Sequence, residues 1–119
     1  MAYQALDASD IPTTWGTFRM VRHHLGGSAF GLNQIDFPPG KVGKEHDELE
    51  SGQEEIYYCI SGGGSLTVDG DVVELRPGRY VLVSPDAKRN PEAGPGGMSF
   101  LCVGGVPRGV YEPWAPPEE

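Results

Sequence analysis

The chain has 119 residues with 38% hydrophobic and 22% charged side chains, which suits one globular core and leaves no room for two. Nine Lys and Arg against seventeen Asp and Glu give a net charge of −8, a field that repels phosphate backbones and anionic headgroups and so speaks against nucleic acid and membrane surfaces as partners. No apolar run reaches the length of a membrane span, and residues Met1–Asp10 lack the basic start and apolar core of a signal peptide, so the sequence reads as that of a cytoplasmic protein.

Residues 1–16 have mixed polarity and form an N-terminal arm. Phe18–Leu25 and Ala29–Phe37 read as strands parted by Gly26-Gly27, and Pro38-Pro39-Gly40 stops the second. His23 and His24 are adjacent, so on a strand they face opposite ways and cannot share one ion. The stretch from Lys41 to Gln53 is polar and predicts a loop with a short extended piece around His46. Glu54–Ser61 is the clearest strand, with Glu55, Tyr57 and Cys59 on one face and Ile56, Tyr58 and Ile60 on the other.

Gly62-Gly63-Gly64 has no Lys-Ser/Thr after it and reads as a hairpin turn, not a phosphate loop. Strands then follow at Ser65–Val68, Val72–Arg76 and Arg79–Val83, parted by Asp69-Gly70 and Pro77-Gly78. Ser84–Gly97 reads as irregular, Met98–Val103 as the last strand, and residues 107–119 as a proline-rich tail ending in two acids. Cys59 and Cys102 sit inside apolar runs, which predicts two free buried thiols rather than a disulfide scaffold. Tyr57, Cys59, Phe100 and Cys102 read first as core filling, with cavity lining as the alternative.

With no helical periodicity over twelve residues, the pattern predicts an all-β fold that disposes of its strand edges by closing a barrel or doubling a sheet. His46 and Glu48 are two apart and share a face if extended, and Glu55 opens the next strand. One imidazole and two carboxylates could hold a divalent ion and leave positions open, while an acidic loop alone is commonly just solvated surface.

The spacing Gly40, five residues, His46, one residue, Glu48, six residues, Glu55, six residues, Gly62 resembles the first sequence motif of the cupins, with Glu48 where the family has a second histidine. The second motif, opening at Gly78, places Arg89 where the family supplies a histidine ligand. The resemblance runs from about Ile35 to Val103. It implies a single-domain cupin-type jelly roll (a double-stranded β-helix barrel), with the N-terminal arm at 1–16, the barrel at 17–106 and the tail at 107–119.

The resemblance also implies a small molecule in the barrel near His46, Glu48, Glu55 and Arg89, with His46 and Arg89 as the catalytic candidates. His46, Glu48 and Glu55 become candidate ligands for a divalent transition metal such as Zn, Mn, Fe or Ni. An inward Arg89 would compete with that metal and pair with the carboxylates; an outward one would leave the trio free. Isomerase, decarboxylase or oxygenase chemistry is implied, and a non-catalytic ligand-binding or sensor module is the alternative. Apolar residues in the two terminal segments, among them Tyr3, Leu6, Ile11, Trp15, Tyr111 and Trp114, predict a homodimer that covers them.

Overall fold

The computed structural model describes residues 2–116; Met1 and residues 117–119, including the two terminal acids, lie outside it. Within that span the chain forms seven strands, one five-residue helix and a single 3-10 turn. The strands are β1 (Thr13–Thr14), β2 (Phe18–Arg19), β3 (Gly31–Phe37), β4 (Glu54–Val68), β5 (Asp71–Leu75), β6 (Tyr80–Val83) and β7 (Arg89–Gly105). Their hydrogen-bonded order is β1-β2-β3-β7-β4-β5, with β6 also paired to β4, and every pairing is antiparallel. The expected all-β architecture is therefore present.

Two long bent strands carry it. The Gly62-Gly63-Gly64 segment, read above as a turn, lies inside β4, and the stretch read as irregular contains the first half of β7. The glycines do not reverse the chain; they let two backbones cross closely. A Cβ on Gly64 would collide with the carbonyl oxygen of Glu92, and one on Gly62 with that of Gly97. The ladder shifts register between Cys59 and Ser61 and again between Gly62 and Gly64, as bulges do where a strand bends. Bent in this way, the β4–β7 ribbon serves both walls of the barrel.

The inward row of β4, namely Tyr57, Cys59 and Leu66, meets Ile35, Phe37, Leu75, Val83, Met98 and Phe100 in one buried cluster. The predicted strand Phe18–Leu25 is replaced by β2 and a helix, α1 (Val21–Leu25). Gly26 closes that helix with φ 82° and donates to the Arg22 and His23 carbonyls, a left-handed cap that glycine alone adopts without strain. The His23 and His24 rings consequently meet edge to face, 5.2 Å apart.

Both terminal segments fold onto their own barrel. Ile11 and Tyr111 are buried, Tyr111 closes over Gly31, and Trp15 packs against Phe18 and Trp114. Arg22 fastens the tail by donating to the Trp114 carbonyl and lying over the Tyr111 ring. Tyr3, Leu6, Trp15 and Trp114 of these segments stay exposed, and further apolar surface is open on the outer face of the sheet. There the register aligns Val103, Ile56 and Leu82 in one row and Leu101, Tyr58 and Tyr80 in the next, with Leu82 64% and Tyr80 70% exposed.

Candidate functional site

The loop between β3 and β4 is tied to the start of β7 by two isolated bridges, Val42 to Glu92 and His46 to Arg89. At the second, the His46 amide donates to the Arg89 carbonyl at 3.0 Å and the Arg89 amide donates back at 2.8 Å. Residues opposed in this manner project to the same side of a sheet. The loop next turns Glu48 inward, its amide donating to the Pro85 carbonyl at 2.8 Å.

Glu55 reaches the same place from β4. Its pleat mate Glu54 is exposed, so the alternation of the strand selects Glu55 as the inward carboxylate. His46 Nε2 lies 3.5 Å from Glu48 Oε2 and 3.9 Å from Glu55 Oε1. The Tyr57 hydroxyl, two residues along the same face, donates to Glu55 Oε1 at 3.0 Å. Arg89 Nη2 stands 3.3 Å from that same oxygen. All four sequence-predicted residues thus converge.

They do so at different depths. His46, Glu48 and Glu55 line a cavity of about 1220 Å³. Arg89 has no exposed surface and stands behind Glu55, so it does not reach the cavity. Its Nη1 donates to the Ala87 carbonyl at 2.7 Å, while Nε and Nη2 are buried without a hydrogen-bond partner. The upper cavity wall is aromatic, built from Phe18 with Trp15, Tyr111 and Trp114 of the terminal segments. Of the residues expected to need cover, Tyr111 is buried against its own barrel, whereas Trp15 and Trp114 keep about half of their surface open. Tyr57, Phe100 and Cys102 also line the cavity, whereas Cys59 is wholly within the core. The signal for Tyr57 was its place two residues from Glu55 on one pleat face.

Burial raises the Glu48 pKa above its ordinary value, and the neighbouring Glu55 charge adds to the effect, against the opposing pull of Ser51, His46 and Arg89. Burial also pushes the Tyr57 hydroxyl and the Cys102 thiol well above their usual ranges, so both are proton donors or neutral lining near pH 7 rather than anions.

These residues do not fit a resident divalent ion. Among the described residues no three His, Cys, Asp or Glu side chains are placed to hold one, and the Glu55 oxygen facing His46 is already engaged by Tyr57 and Arg89. An ion bound to Glu55 would stand about 5 Å from the guanidinium and meet a repulsion of about 7 kcal/mol at an effective dielectric near 20.

A β-barrel cavity that combines convergent polar groups with apolar and aromatic lining is the build of a small-molecule site. Residues 33–104 match the Cupin domain family, and the chain belongs to that family. It is 29% identical over 106 residues to the dimethylsulfoniopropionate lyase DddW of Ruegeria pomeroyi, across 81% of this chain and 68% of the lyase. A cupin protein from Bacteroides fragilis superposes with a TM-score of 0.73 at 26% identity, covering 97% of this chain and 92% of that one. A predicted oxalate decarboxylase from Thermotoga maritima gives a TM-score of 0.71 at 20% identity, covering 87% of this chain and 100% of that one, a likeness of fold alone.

The raised Glu48 pKa has a measurable consequence. The folded chain holds this proton more tightly than the unfolded chain, so the associated stability is full below the ordinary glutamate pKa and is lost as pH rises through the raised value. Glu48→Gln stays neutral throughout and can still accept from Ser51, whose hydroxyl lies 3.0 Å from Glu48 Oε1. Denaturant unfolding between pH 4 and pH 7 therefore shows the variant gaining on the parent as pH rises; a constant difference would contradict the assignment.

Proposed function

We propose that this cupin is an enzyme that moves a proton on a small polar molecule held in the barrel cavity, with Glu48 as the proton donor and acceptor. The observation that carries this reading is the convergence of two carboxylates in unlike surroundings on one imidazole. Glu55 is fixed from behind by Arg89 and from the side by Tyr57. Glu48 stands free of both, faces His46 at 3.5 Å and keeps its proton to higher pH than an ordinary glutamate. Groups whose environments differ in this way divide acid and base roles between them.

His46 sits between the two carboxylates and relays or receives the proton; Arg89 acts through Glu55 without touching the ligand. No step is assigned to a metal, because the guanidinium opposes one. Lyase, isomerase and decarboxylase reactions all turn on such a transfer, and the relationship to a dimethylsulfoniopropionate lyase supports the first of them. Two free thiols accord with a cytoplasmic setting, and among the described residues no helix is long and apolar enough to cross a membrane.

Incubation with dimethylsulfoniopropionate and a panel of short carboxylic acids, followed by proton NMR, tests the reading without prior choice of product. The parent converts at least one compound, and Glu48→Gln slows that conversion by about 10²- to 10⁴-fold while leaving ligand-induced quenching of Trp15 and Trp114 in place. Quenching without conversion of any compound would point to the binding module instead.

The proposal includes a homodimer that uses the outer sheet face. On a chain of charge −8, the rows Val103-Ile56-Leu82 and Leu101-Tyr58-Tyr80 offer an uncharged surface on which a second copy can settle against its own repulsion. Light scattering at micromolar concentration should give twice the chain mass for the parent and the single mass for Leu82→Glu. A monomeric parent would remove the dimer.

A further inference from the structure

We infer that Arg89 is the resident cation of this site, balancing Glu55 from behind the cavity wall that His46, Glu48 and Glu55 share, and that removing its charge opens the site to a metal ion. This goes beyond the proposed reaction and does not depend on which molecule fills the cavity.

Burial makes the first part of the case. The guanidinium has no exposed surface, one hydrogen bond to Ala87 and two donor nitrogens without a hydrogen-bond partner. A charge kept so deep is costly unless a countercharge stands against it, and the carboxylate it faces is Glu55 at 3.3 Å. Apolar packing could fill the same volume at no such cost, so the positive charge itself is what the position supplies.

Register makes the second. Arg89 is bridged directly to His46, and opposed residues of such a pair lie on one face about 5.5 Å apart at their Cα atoms. A shorter side chain at position 89 would therefore end beside the His46 imidazole and within the same ring of donors as Glu48 and Glu55. With the guanidinium present, Glu55 answers a cation fixed in the protein. Without it, two carboxylates and a histidine face each other with no fixed cation behind Glu55, which is the composition that binds Zn²⁺ or Mn²⁺. Arg89 is a positioning residue in this scheme, since it holds Glu55 and touches no ligand.

Calorimetric titration of ZnCl₂ into untagged protein tests the inference directly. The parent should show no one-to-one site, whereas Arg89→His should bind one ion per chain at least about tenfold more tightly than any residual binding to the parent. Adding His46→Ala to Arg89→His should abolish that site, which separates it from adventitious binding at the adjacent His23 and His24. Arg89→Gln, which removes the charge without adding a ligand, should bind more weakly than Arg89→His and more tightly than the parent; it serves as the test if circular dichroism shows the histidine variant unfolded. A parent that binds one Zn²⁺ through His46, or charge-removing variants that match the parent, would overturn the inference.

Discussion

Arg89 and Glu55 are the interaction on which the rest of the site depends. A guanidinium with no exposed surface can persist only beside an anion, and it fixes Glu55 in the floor of the cavity at 3.3 Å. Glu55 in turn accepts from Tyr57 and faces His46. Its charge, together with burial, is what raises the pKa of Glu48. Tyr57, His46 and Glu48 thus all face a carboxylate that Arg89 holds from behind the wall.

The fold supplies this pair through backbone crossings that look unpromising in one dimension. Position 89 opens β7 opposite Val68 and position 55 lies opposite Gly104, at the two ends of one ladder, so the pair forms only because the ribbon bends. Gly62 and Gly64 permit the close approach that bends this ribbon around the core. The short bridge from His46 to Arg89 then draws an otherwise irregular loop into register with the sheet. Burial of Tyr57, Phe100 and Leu66 inside the bend fixes the geometry from the other side.

Much of this was legible in the sequence where the chemistry is local. The six-residue step from Glu55 to Gly62, shared with the cupin motif, singled out Glu55 as the inward carboxylate, and the two-residue step from His46 to Glu48 placed both on one side. What failed were the places where a tertiary contact decides the outcome. Three consecutive glycines signal a turn by composition, yet here they are consumed by a crossing strand. Pro91 and Pro95 made the start of β7 look irregular, although pairing with β4 carries it as a strand. Gly26, which separates two strands by pattern, caps a helix instead. The depth of Arg89 was equally hidden, since a long side chain at a strand end can go to solvent or to the core, and only the full set of neighbours decides.

Nitrogen-proton NMR of the arginine side chains reads the central interaction without a substrate or a metal. A buried, ion-paired Arg89 predicts one guanidinium Nε–H resonance that exchanges slowly with water and moves on Glu55→Gln, while those of exposed arginines such as Arg76 exchange fast and stay put. An Arg89 resonance that exchanges as fast as the exposed ones and ignores the Glu55 substitution would contradict the buried pair and the site built upon it.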